Sequence, residues 1–73
     1  MKITAQVADL LGSIILFDGP MPVKLVKPEE QDILLELLEN NFVEITYLRT
    51  NKTNVKSVIS TEKGKKYFRL YMQ

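Results

Sequence analysis

Residues 42–48 alternate between apolar and polar: Val43, Ile45 and Tyr47 fall on one side, Glu44 and Thr46 on the other. A period of two carried by β-branched and aromatic residues is the pattern of a half-buried strand, with the face of Ile45 turned to a core. Residues 50–54, Thr50-Asn51-Lys52-Thr53-Asn54, form a polar cluster whose asparagines tolerate left-handed and turn geometry. A second apolar run follows over residues 55–60, carried by Val55, Val58 and Ile59. Two strands this close in sequence pair as an antiparallel hairpin, because a parallel pair needs a longer crossover.

Helical periodicity marks the segments on either side. Thr4 is placed to cap a first helix reaching about residue 17, with Val7, Leu10, Leu11, Ile14 and Ile15 on a wide apolar face. Gly12 inside that helix costs about 1 kcal/mol against alanine and marks a close helix contact. Asp18-Gly19-Pro20 ends the helix: glycine accepts the left-handed cap and proline cannot continue the spiral. Residues 20–27, with two prolines and a Val-Leu-Val rhythm, read as an extended segment or one short strand with at most a single turn over 23–26. Pro28 opens a second helix with Glu29, Glu30 and Asp32 in its first turn, where carboxylates are favoured. Its apolar stripe is Ile33, Leu34, Leu37 and Leu38, and Asn40-Asn41 stops it.

The C-terminal segment has two readings. Thr61 followed by Glu62 is a helix entry, since a hydroxyl accepts an orphan N–H and a carboxylate meets the positive helix end. Tyr67, Phe68 and Tyr71 then recur at helical spacing. Alternatively, Glu62-Lys63-Gly64-Lys65 is a hairpin turn and residues 66–72 are the third strand of an antiparallel meander. Either way the chain is α+β.

Asn41-Phe42-Val43-Glu44 and Thr61-Glu62-Lys63-Gly64 carry a resemblance. A helix that stops at a turn, an apolar-valine-glutamate strand, a hairpin and a threonine-x-lysine-glycine helix start resemble the second half of a winged-helix DNA-binding domain, over about residues 28–71. The resemblance implies a helix, an extended segment, a helix, a hairpin wing and a C-terminal helix. It also implies a DNA-binding or transcription-regulating role. The chain departs from the family at residues 20–27, which are too short and proline-rich for a normal second helix. That departure weighs against a helix-turn-helix mode of DNA binding.

Seventy-three residues make one domain, 1–73, with a thin core: a chain this size buries only about 60% of its unfolded surface. Nearly half of it is apolar, which argues against disorder. It has no cysteine and no histidine. That removes disulfides, thiolate chemistry, the commonest metal ligand and the commonest general base. Residues 10–17 are apolar, but Asp9 borders them, Gly12 and Ser13 interrupt them, and no small-x-small cleavage pattern follows. The stretch is also too short to cross a bilayer. A cytoplasmic protein is expected.

The net charge of +1 hides an asymmetry. Residues 1–48 carry three lysines and eight carboxylates; residues 49–73 carry seven basic residues and one carboxylate, Glu62. Such a change of sign can mark an interaction surface. Arg49, Lys52 and Lys56 cluster on the hairpin, and Lys63, Lys65, Lys66 and Arg69 on the last segment. They suit phosphate contact or serve as a solvated surface that protects strand edges. Tyr47, Tyr67, Phe68 and Tyr71 either stack on bases or fill the core, as so small a domain requires.

The second helix is the would-be recognition helix, yet it carries five carboxylates and no cation from Glu29 to Asn41. A duplex groove repels such a helix. Glu29, Asp32, Glu36 and Glu39 lie along one side of it and make a solvated face or a docking face for a basic protein surface. No metal or acid–base cluster is expected, because nothing in the pattern buries these groups. There is no glycine-rich phosphate loop and no nucleophile–base set, so neither catalysis nor a cofactor is expected. The expected function is a small non-enzymatic DNA-binding module that touches phosphates of duplex DNA through the basic hairpin. The alternative is a protein-interaction module or small regulator that docks through its acidic helix 28–41. A homodimer stays open, and no membrane partner is expected.

Overall fold

The computed structural model describes residues 4–72. The first helix, α1 (Ala5–Leu16), starts where Thr4 adopts an extended backbone and its hydroxyl accepts the Val7 N–H at 3.3 Å. That hydroxyl satisfies one of the N–H groups that every helix start leaves unpaired. Val7, Ala8, Leu10, Leu11, Gly12 and Ile14 are buried on one face. The helix ends at Leu16, and Phe17 caps it in an extended conformation. Gly19 does take a positive φ of 86°. It lies two residues beyond the cap, so it turns the connecting loop instead of capping the helix.

Residues 20–27 form the short extended segment that their prolines permit. A two-residue strand, β1 (Met21–Pro22), leads into a single 3-10 turn, Val23–Leu25. Proline has no N–H to give a ladder, which keeps β1 short and at the sheet edge. A second 3-10 turn, Pro28–Glu30, precedes α2 (Gln31–Glu39), so the α-helix proper starts three residues after Pro28. The Glu30 carboxylate accepts the Lys27 N–H at 3.2 Å and the Lys27 carbonyl accepts the Glu30 N–H at 2.9 Å. These reciprocal bonds tighten the entry into a 3-10 turn. In α2, Leu34 and Leu37 are buried, with Ile33 and Leu38 half-buried beside them. Asn41 takes a φ of 61° and breaks the helix.

Strands β2 (Val43–Thr50) and β3 (Thr53–Ser60) pair antiparallel without interruption from Val43↔Ser60 to Thr50↔Thr53. The polar cluster is therefore mostly strand. Only Asn51 and Lys52 make the turn, with Asn51 at a φ of 52°, a region asparagine tolerates better than most residues. β1 pairs antiparallel with the other edge of β3, Met21 against Val58 and Pro22 against Ser57, so the sheet order is β1-β3-β2.

The last element is the helix α3 (Glu62–Tyr71). Of the two readings of the C-terminal segment the helical one holds, and the third strand of the sheet is β1, not residues 66–72. Thr61 joins α3 to the end of α2. Its hydroxyl donates to the Asn41 carbonyl at 2.7 Å and accepts the Gly64 N–H at 3.0 Å, while its own N–H donates to the Phe42 carbonyl at 3.0 Å. Gly64 is buried against that same Phe42 carbonyl, where a β-carbon would overlap the oxygen. Tyr67 stacks on Phe42 with ring centroids 4.4 Å apart.

The described residues are α+β: three α-helices and a three-stranded antiparallel sheet. Val7, Leu10, Leu11, Ile14, Met21, Val26, Leu34, Leu37, Phe42, Val43 and Val58 form one core. Gly12 lets α1 approach α3: a β-carbon there would sit 3.0 Å from the Phe68 ring. Among the described residues no helix is long and apolar enough to cross a membrane.

The alternation in β2 gives the expected face but not the expected depth of burial. Val43 is buried, Ile45 is half-buried at the margin of the core, and Tyr47 is 64% exposed. The hairpin runs past the helices that cover its base, so its outer residues are exposed.

Candidate nucleic-acid interface

Residues directly opposite one another in an antiparallel pair project from the same face. The register pairs Tyr47 with Lys56 and Arg49 with Asn54. These four continue outward the face whose inner part is Ile45 and Val58. All four are exposed, and Lys52 stands in the turn at the tip. The other face of the outer hairpin holds Thr46, Leu48 and Thr50 from β2 with Thr53, Val55 and Ser57 from β3. It carries no charge, and Leu48, 40% exposed, lies opposite half-buried Val55. The outer hairpin is thus two-sided: one face cationic and aromatic, the other apolar and hydroxylic.

The cations of α3 occupy different ground. Lys63 lies over the Phe42 ring, 5.3 Å from its centroid, so this residue also helps to hold the helix in place. Lys65 is 3.7 Å from Glu62, an exposed pair that contributes little. It also lines a shallow cleft with Ile14, Phe17, Pro20 and Ile59, on the α1 side of the molecule. Lys66 and Arg69 are exposed. Among the described residues no carboxylate lies within ion-pair distance of Arg49, Lys52, Lys56, Lys66 or Arg69. α3 begins at the base of the hairpin, directly after β3. Eight residues of extended chain, roughly 26 Å at 3.3 Å per residue, separate that base from Lys52. The seven cations therefore form two groups, one on the outer hairpin and one on α3.

The carboxylates Glu29, Asp32, Glu36 and Glu39 are all exposed, and none accepts a hydrogen bond from a described side chain. Among the described residues no group of acidic side chains is arranged to hold a metal ion. Leu35, 55% exposed, interrupts this solvated surface. The aromatic residues divide in two. Tyr67 and Phe68 are half-buried against the core, as the packing reading expects. Tyr47 and Tyr71 are exposed, which corrects that reading for these two residues.

Three features escaped the sequence reading. Asn54 joins the cationic face, Leu48 and Val55 form an apolar counter-face, and Tyr47 stands across the strand pair from Lys56. All three depend on the register, which a five-residue polar cluster leaves open and a two-residue turn fixes.

Compared with protein-family models, curated proteins and solved structures, the chain matches none.

Proposed function

We propose that this protein is a small, non-enzymatic nucleic-acid-binding module of winged-helix type, working on DNA in transcription regulation inside the cytoplasm. The observation that carries the proposal is the overhanging hairpin, whose outer face holds Tyr47, Arg49, Asn54 and Lys56 with Lys52 at the tip. Cations without acidic neighbours, raised clear of the body, are available to replace counterions along a phosphate backbone. The element order, helix, short extended segment, helix, hairpin and C-terminal helix, supports the winged-helix reading. The single 3-10 turn at Val23–Leu25 stands where that family has its second helix, which is why the contact is assigned to the hairpin and not to a helix-turn-helix.

In this reading the backbone contact comes from the hairpin, with Lys63, Lys65, Lys66 and Arg69 as a flank. α2 does not enter a groove, because its row of carboxylates would meet a strongly negative field there. Affinity for labelled duplex DNA should fall steeply with salt, by a slope near −0.9 per phosphate contact. Lys52→Glu with Lys56→Glu should weaken binding evenly across sequences, since phosphates carry no base information. Glu36→Lys with Glu39→Lys should strengthen nonspecific binding or leave it unchanged. Absence of any binding at low salt would sink the proposal.

A second reading rests on α2 itself. Its exposed acidic row, Asp32, Glu36 and Glu39 with Glu29 in the turn before it, runs beside exposed Leu35, a pattern suited to a basic protein surface with an apolar centre. That reading expects the Glu36→Lys, Glu39→Lys variant to lose a protein partner, with the hairpin variant unaffected.

A further inference from the structure

We propose that the outer hairpin face is a platform for unpaired bases: a base of a single-stranded nucleic acid stacks on Tyr47 while Arg49, Lys56 and Lys52 hold the neighbouring phosphates. The inference rests on the nucleic-acid reading of the hairpin and names the state of the strand that fits it.

Tyr47 is the first reason. It is 64% exposed on a strand whose alternation would bury it if the sheet were covered along its full length. Its ring contributes nothing to the core, so packing does not account for an aromatic residue here. Cross-strand neighbours lie roughly 5 Å apart at their β-carbons, so Lys56 stands beside Tyr47 on the same face. Arg49, two residues along the same strand, follows on the same face. An aromatic surface edged by cations is the pattern by which proteins hold single strands: the ring meets the face of the base and the cations track the backbone.

The opposite face is the second reason. It has no charge from Thr46 to Ser57, so the hairpin presents phosphate-binding chemistry in one direction only. A hairpin that served phosphates alone could use either face and would need no aromatic surface. α2 gives the third reason. A duplex keeps the faces of its bases stacked inside and shows only their edges in the grooves. The helix that would read those edges carries Asp32, Glu36 and Glu39. A single strand needs no groove-reading helix, and its base faces are open to Tyr47.

The test is fluorescence anisotropy with a labelled twelve-nucleotide oligo-dT, an oligo-dA and a twelve-base-pair duplex, each at low and at physiological salt. The wild type should bind the single strands more tightly than the duplex. Tyr47→Ala should weaken single-strand binding about 5- to 150-fold, the range that loss of one base–aromatic stack corresponds to, and should weaken duplex binding far less. Tyr47→Phe should restore binding, because stacking needs the ring and not the hydroxyl. Tyr47 is exposed, so both variants should keep the wild-type melting curve, and that is checked first. Duplex binding tighter than single-strand binding would overturn the platform and leave the phosphate reading standing. So would an equal loss on both substrates in Tyr47→Ala. If neither substrate binds at low salt, the nucleic-acid reading itself fails, and Tyr47 then belongs to a protein-docking surface.

Discussion

The Thr61 hydroxyl donates to the Asn41 carbonyl at 2.7 Å, joining residues twenty apart, and the same oxygen caps α3 by accepting the Gly64 N–H. One side chain thus ties the end of α2 to the start of α3. Gly64 completes the joint by letting the Phe42 carbonyl rest against its α-carbon. The two motifs that resemble a winged-helix domain meet here. Their demand for threonine and glycine is met by packing and capping, without appeal to a ligand.

This joint yields the first prediction. Thr61→Ala should destabilise by about 0.5–2 kcal/mol, the usual cost of removing a hydroxyl cap. Gly64→Ala should cost more, on the order of 1–3 kcal/mol or above, because its neighbour is backbone and cannot step aside. Urea denaturation of the two variants checks the order. A neutral Gly64→Ala would show that the Phe42 carbonyl can move away from this position.

The second concerns Gly12. Alanine gains about 1 kcal/mol over glycine within a helix, but here its β-carbon would meet the Phe68 ring at 3.0 Å. Gly12→Ala should therefore be neutral or destabilising in the wild type and stabilising in a Phe68→Leu background. A double-mutant cycle by thermal melting reads the coupling directly. Additive effects would mean that α1 and α3 do not constrain each other at this point.

Burial along the sheet sets the third. Val58 is fully buried in the central strand, whereas Ile45, its cross-strand partner, is only half-buried. Full burial of an isoleucine would make its truncation to alanine cost about 2–5 kcal/mol. Ile45→Ala should fall below that range, and Val58→Ala should cost more than Ile45→Ala although it deletes fewer atoms. The reverse order in denaturant melts would place the edge of the core further out along the hairpin.

The fourth lies in the turn. Asn51 has a φ of 52°, where a residue with an ordinary β-carbon is strained by about 1–2 kcal/mol. Asn51→Ala should destabilise by about that amount, and Asn51→Gly should be close to neutral. Equal stability of the alanine and glycine variants would mean that the turn relaxes to another geometry.

Much of the fold was legible in the residues. Thr4 and Thr61 announce their helices, Pro20 and Pro22 forbid a helix in the linker, and alternation marks β2. Each of these signals is local. What stayed hidden depends on distance across the molecule. The period of two assigns Tyr47 to the core side but cannot say how far along the strand the helices reach. Nothing local pairs Met21 with Val58, since that contact is made from the opposite end of the chain. The candidate site was half legible for the same reason. The cations are plain in the sequence, but their division into two groups follows from the length of β3. The company Tyr47 keeps follows from the register set at Asn51.

The two-residue turn also governs the order in which the chain can assemble. Pairing closes at Thr50 and Thr53 and proceeds outward one residue at a time to Val43 and Ser60, each step enclosing little new loop. Thr61 and Gly64 then dock on Asn41 and Phe42 just beyond the last pair. β1 and α1 must come back from the far end of the chain to reach Val58 and Phe68, so their contacts carry the larger loop-closure cost. The hairpin and α3 are expected to be formed in the transition state, with α1 arriving afterwards. In a chevron experiment Asn51→Ala should slow folding, whereas changes at the Gly12–Phe68 contact should quicken unfolding. The same short turn that sets Tyr47 opposite Lys56 is then the nucleus from which the domain grows.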